Sequence, residues 1–167
     1  DVYKRQVYVR SICGPGDNSF WEGPFTFNTT YCTGGPTSTQ DSEITNVFLQ
    51  GDASAISNLQ SCPGAAGVQD FTASFSADVS LGTPYVLNIT FGTCGDPFPS
   101  AGEAWIDWNQ NFIFDAGESI GTWSGNPEPQ NSTTFNAVFP FTPPANAVLG
   151  TTRMRIMHWE GGALPLD

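Results

Sequence analysis

The stretch Ala104-Trp-Ile-Asp-Trp-Asn-Gln-Asn-Phe-Ile-Phe-Asp-Ala-Gly-Glu118 decides the fold. Its first part, Ala104 to Trp108, puts apolar residues on both faces of an extended segment and reads as a strand. Its second part is a loop with oxygen-bearing side chains at alternate positions. With Asp107 as position 1, Asp107, Asn109, Asn111, Asp115 and Glu118 fall at positions 1, 3, 5, 9 and 12 of a twelve-residue calcium loop. Calcium is a hard cation that takes roughly six to eight oxygens, and side chains alternating along a curled loop can aim several at one centre. The Ile113 carbonyl would be the backbone ligand, Glu118 would bind through both oxygens, and Phe114 would tuck the loop against the core.

Two features set this loop apart from a helix–loop–helix site. The turn position that usually needs glycine is Phe112. The flanks are extended, since Ser119-Ile-Gly-Thr-Trp123 has no helical period. The expectation is a calcium-type loop between two strands. The competing reading is an acidic β-connection whose Asp and Asn side chains satisfy their own backbone.

Working outward, the rest of the chain is strands punctuated by turns. The 167 residues include 18 Gly and 13 Pro with much Thr, Ser, Val and Phe, enough length for one domain with a real core. Thr83-Pro-Tyr-Val-Leu-Asn-Ile-Thr-Phe91 alternates, with Tyr85, Leu87, Ile89 and Phe91 on one face. Glu43 to Leu49 is a strand with Ile44 and Val47 to Leu49 in the core. Gly51 to Gly67 is loop-rich, and Ala53 to Leu59 within it is the longest helix candidate, too short and Ser-rich to form one. Gln69 to Phe75 is a strand or an irregular edge. Thr133 to Phe141 is a strand broken by Pro143-Pro144. Thr151 to His158 is the last, with Met154 and Ile156 inward and Arg153 and Arg155 outward, seeking carboxylates. The fold class is all-β: an antiparallel two-sheet sandwich of the jelly-roll or Ig-like kind.

Charge narrows the partners. The formal net charge is −11 with five basic residues, which excludes a nucleic-acid binder and disfavours anionic lipid. No run approaches membrane-spanning length, so membrane insertion is not expected. The surface suits a secreted or cell-surface protein that collects divalent cations. Cys13, Cys32, Cys62 and Cys94 suit an oxidising compartment and lack the CxxC spacing of a zinc site. Four cysteines allow three connectivities; Cys62 with Cys94 is the favoured pair.

The first six residues, Asp1-Val-Tyr-Lys-Arg-Gln6, resemble the translated end of a transposon-based sequencing adaptor, which implies a gene fragment from environmental DNA and places them outside the fold. Without them the chain has no lysine. Residues 7–30, carrying Tyr8-Val-Arg10, Cys13, Trp21 and Gly23-Pro24-Phe25-Thr-Phe27, resemble the C-terminal hairpin of a fibronectin type III domain. From 31 to 167 the chain resembles the GEVED domain, a β-sandwich module of bacterial extracellular proteins. The matching pieces are Tyr31-Cys32, Ile44-Thr-Asn-Val47, Gln69-Asp-Phe-Thr72, Gly82-Thr-Pro-Tyr85, Trp105-Ile-Asp-Trp-Asn-Gln-Asn111 with Phe114 and Gly117-Glu118, and Gly150-Thr-Thr-Arg-Met-Arg155. The acidic final strand that names the family is absent, which implies truncation at the C-terminus and an open sheet edge.

No catalytic machinery is expected. Asp107 and Glu118 lie on one loop, whereas a glycosidase pair flanks a sugar cleft. HExxH, GxSxG and phosphate-loop motifs are missing, and His158, the single histidine, reads as a strand-end residue rather than a base. Trp123 and Trp159, beside loops, are the candidates for stacking on sugar, against a general tendency of tryptophan to be buried. The leading expectation is a non-catalytic module, calcium-stabilised, serving adhesion or recognition of a polysaccharide or protein ligand beside neighbouring domains of the same chain. The alternatives are a carbohydrate-binding module and an accessory domain of a secreted hydrolase or protease.

Overall fold

Alternation with period two makes strands throughout, and no α-helix occurs among the described residues. The computed structural model describes residues 4–9, 12–14, 17–18, 20–28, 30–31, 35, 38, 43–62, 64, 67–94, 96, 98–125 and 136–160. The chain divides into two units, Asp1–Cys32 and Thr33–Asp167.

In the first unit, strand β1 (Lys4–Val9) pairs antiparallel with β4 (Glu22–Asn28), and β2 (Ile12–Gly14) pairs with β3 (Asp17–Asn18). The ladder runs on through Lys4, Arg5 and Gln6, residues expected to lie outside the fold. Where one strand from Val7 to Cys13 was expected, two are present.

The second unit has two sheets. One is ordered β10 (Asn136–Phe141), β7 (Tyr85–Gly92), β5 (Glu43–Gln50), β6 (Ala55–Leu59); the other is β11 (Met154–Glu160), β8 (Ser100–Ile106), β9 (Ser119–Gly125). All neighbours are antiparallel. Tyr85, Leu87, Ile89 and Phe91 of β7 face inward as their alternation requires. They meet Val47, Leu49, Ala137, Phe139 and Phe141 from their own sheet and Ala104 and Ile106 from the other. Met154, Ile156 and Trp108 close the same core. The result is a β-sandwich.

Four expectations are corrected here. Phe48 points outward and is 38% exposed; consecutive strand residues alternate faces, so Val47 and Leu49 exclude it from the core. Ala55–Leu59, read as loop or weak helix, is an edge strand in register with β5 from Asn46↔Leu59 to Gln50↔Ala55. Gln69 to Phe75 forms turns instead of a strand. The final strand starts at Met154 and runs to Glu160, beyond the expected end at His158. Of the strand expected from Thr133, residues 133–135 lie outside the described residues.

Two glycines set the sheet spacing. A Cβ on Gly102 of β8 would lie 2.6 Å from Cζ of Phe91, and one on Gly121 of β9 would lie 2.4 Å from both Cγ and Cδ1 of Phe139. Large rings of one sheet therefore sit over bare backbone of the other, which is how this core interdigitates. At the β5–β6 turn the Asp78 carboxylate accepts the Ser54 hydroxyl at 2.6 Å and the Ala53 and Ser54 amides at 3.0 and 2.7 Å. The hydroxyl first, and then the amides, hold its pKa down to about 2.

Candidate functional site

The acidic loop leaves the buried end of β8 and enters β9 through a short 3-10 turn, Ala116–Glu118. Its two end carboxylates are built into the structure: Asp107 is 0% exposed and Glu118 5%. Asp107 accepts the amides of Asn111 and Phe112 through its two oxygens at 3.1 and 3.0 Å. Glu118 accepts the amides of Asn109 and Asp115, each at 3.1 Å. Asn109 Oδ1 takes the Asn111 amide at 2.9 Å, and Asn111 Oδ1 takes that of Ile113 at 2.8 Å. Both asparagine Nδ2 groups donate to the same Asp115 oxygen, at 3.1 and 3.0 Å. Asp107, Asn109, Asn111, Asp115 and Glu118 therefore form one hydrogen-bonded loop, with Ile113 60% exposed at its tip.

Phe112 adopts φ 69° and Gln110 φ 55°. The left-handed turn expected of glycine is thus made by a phenylalanine, at a steric cost the surrounding amide bonds must offset. The loop is also tied to the connector before β11. The Thr152 hydroxyl donates to the Asp107 carbonyl, the Val148 amide to the Trp108 carbonyl at 2.8 Å, and the Gln110 side chain to the Val148 carbonyl at 3.0 Å. On the outer face of the second sheet, Arg155 lies over the Phe114 ring, 4.9 Å from its centroid. Arg153 pairs with Asp70 at 3.9 Å; the exposed location makes that pair a weak contributor.

The donor set suits calcium in kind: three carboxylates, two carboxamides and the Ile113 backbone carbonyl, each offering oxygen. In this arrangement the oxygens are turned to the loop's own N–H groups. Among the described residues no three His, Cys, Asp or Glu side chains converge as a metal-binding group.

The other anticipated residues fall elsewhere. Trp123 is packed, stacked on Phe91 with ring centroids 4.9 Å apart and planes at 25°, whereas Trp159 is 42% exposed. Cys62 and Cys94 are bonded to each other; Cys32 lies outside the described residues. No described helix is long and apolar enough to cross a membrane.

Sequence reasoning missed a buried polar bridge. His158, read as a strand-end residue, sits between the sheets, with Nδ1 3.0 Å from the Glu43 carbonyl and Nε2 3.0 Å from Ser100 Oγ. A carbonyl only accepts, so Nδ1 carries the proton and Nε2 accepts the Ser100 hydroxyl. Phe91 and Trp123 rings flank the imidazole at 5.1 and 5.6 Å. The signal in the sequence was a lone histidine in register with the inward residues of an apolar strand. Burial pushes its pKa down to about 4, with the Glu43 carbonyl pulling weakly the other way. Beside it, burial raises the Glu43 carboxyl, partly offset by the Gly64 amide at 2.8 Å.

The depressed histidine makes stability depend on pH. The unfolded chain takes up the proton near pH 6.5 and the folded one only near 4, so the bridge's contribution is complete above 6.5 and is lost as pH falls through that window. The loss approaches about 3 kcal/mol at the low end. Glu43, with its pKa raised, acts in the opposite direction. Urea midpoints between pH 7 and 4.5 should fall for the native chain and stay flatter for His158→Gln.

No curated protein and no solved structure matches the chain. Residues 102–165, which run from β8 through the acidic loop and β11, match the family model of the GEVED domain, a module of extracellular type.

Proposed function

We propose that this chain is a non-catalytic extracellular module of a larger secreted or cell-surface protein, serving adhesion or ligand recognition, with its acidic loop stiffened by calcium. The observation that carries the reading is the loop itself. Three carboxylates and two carboxamides follow calcium-loop spacing in the sequence, in a segment that braces β8, β9 and the approach to β11. Such a brace belongs to a module whose shape matters. The match of the same segment to an extracellular-type domain agrees with it.

An ion would take the place of the amide groups now donating to Asp115 and would neutralise part of the charge gathered there. Asp107, Asn109, Asn111, Asp115 and Glu118 would supply side-chain oxygens and Ile113 its carbonyl.

Calorimetric titration of the full chain with calcium tests this. Saturable binding is expected, abolished in Asp107→Ala and weakened at least tenfold in Asp115→Asn, whose side chain is exposed. Calcium at about a hundredfold excess over its Kd should add about 2.7 kcal/mol of stability. Absence of binding heat, together with identical melting in calcium and in chelator, would sink the metal role and leave the loop as a hydrogen-bonded connection. The sugar-stacking alternative now centres on Trp159, because Trp123 is partly buried against the core and stacked on Phe91.

A further inference from the structure

The exposed positions on the outer face of the four-stranded sheet carry no ionisable side chain. Its middle row, read across the sheet, is Val138, Asn88, Phe48 and Ser57, paired in register from β10 to β6. Asn136, Asn46 and Gln50 add carboxamides in the flanking rows, and Thr90 Oγ1 donates across the strands to Asn136 Oδ1 at 2.6 Å. Of the outward positions of β10, β7, β5 and β6 that are at least partly exposed, none carries an ionisable side chain; at one end of the sheet Glu43 pairs with Gly92, and both are buried. The chain as a whole has a formal net charge of −11. Charges are therefore kept off one broad face of an otherwise acidic molecule.

We infer that this face binds a neutral polysaccharide, a polymer of uncharged sugars. The inference rests on the reading of the chain as a ligand-recognising module and names the class of ligand and the surface. Charge selects the occupant. A polyanion would be repelled by the molecule around the face. A polycation would settle on the acidic loop. A neutral glycan meets no repulsion here, and no ion has to be desolvated to seat it.

Local chemistry agrees with that choice. A pyranose offers C–H faces and a rim of hydroxyls that both donate and accept. Phe48 and Val138 present apolar surface, and each carboxamide beside them has donors and an acceptor. Strands about 4.8 Å apart repeat this pattern across four strands, which suits an extended polymer more than a compact small molecule.

The test is retention of the full chain on microcrystalline cellulose, chitin and insoluble starch, with an acidic alginate gel as the charged control. The expected result is retention on at least one neutral polymer and none on alginate. Asn88→Asp and Val138→Asp, each placing a carboxylate on the exposed middle row, should weaken retention at least tenfold without moving the melting temperature. Trp159→Ala, on the other sheet, should leave it unchanged. Retention lost on Trp159→Ala but kept in the two face variants would move the glycan to another surface and overturn the inference while preserving the ligand-recognition reading. Failure of the native chain on all three neutral polymers overturns the inference; if it then forms a dimer that either face variant dissolves, the face belongs to a second copy.

Discussion

Phe91→Ala should destabilise the second unit by about 3–5 kcal/mol, read from urea or thermal unfolding. The ring is 1% exposed, is stacked on Trp123 and also touches the His158 ring, which itself contacts Trp123. Removing it opens a cavity lined by groups that cannot all collapse into it, because the His158 ring is held at both nitrogens. The same void lies directly over Gly102, whose missing Cβ would touch the ring at 2.6 Å. A double-mutant comparison therefore has a clear sign. Gly102→Ala alone should be strongly destabilising by overpacking, yet in the Phe91→Ala background it should cost little or restore stability. A coupling of at least about 1 kcal/mol is expected. Simple additivity of the two changes would mean that the ring does not occupy that space.

Gly121→Val should have an effect of similar size, at least about 3 kcal/mol, at the upper end of the cost of inserting carbon into a filled core. Its Cβ would meet Phe139 at Cγ, Cδ1 and Cβ, the last at 3.0 Å. Those atoms are the root of the side chain, and Phe139 sits in the strand register that pairs it with Leu87. Moving them shifts a backbone. The expected readout is loss of cooperative melting at temperatures where the native chain is folded. Retained stability with an ordinary urea slope would show that β9 can move away from β10.

The two substitutions mark the boundary of what the amino-acid order reveals. Alternation placed Tyr85, Leu87, Ile89 and Phe91 on the inner face correctly, because period two needs no knowledge of neighbours. The oxygen spacing from Asp107 to Glu118 likewise marked a loop, and the loop is there. What it left open is whether those oxygens face an ion or the backbone, which depends on side-chain rotation and not on order.

Other features depend on partners distant in sequence. Gly102 and Gly121 look like strand weak points until the rings opposite them are known. Trp123, beside a loop in sequence, is drawn against the core by Phe91. His158 finds its acceptor 115 residues away. Ala55–Leu59 has a weak pattern of its own and becomes a strand because β5 offers it an edge. Phe112 is the instructive exception: a glycine rule argued against the turn, and a network of carboxylate-to-amide bonds imposes it anyway.

The bond between Cys62 and Cys94 has a mechanical consequence for a chain loaded through its two ends. The bridged residues are 32 apart in sequence and the segment between them includes all of β7, a strand with ladders on both sides. When such a chain is drawn out by its two ends, that segment never joins the line of tension. Roughly 110 Å of contour is withheld, at about 3.3–3.6 Å per residue. An overstretched tether would thus stop short and keep a covalent knot at its centre, from which the sheet can reassemble once the load is released.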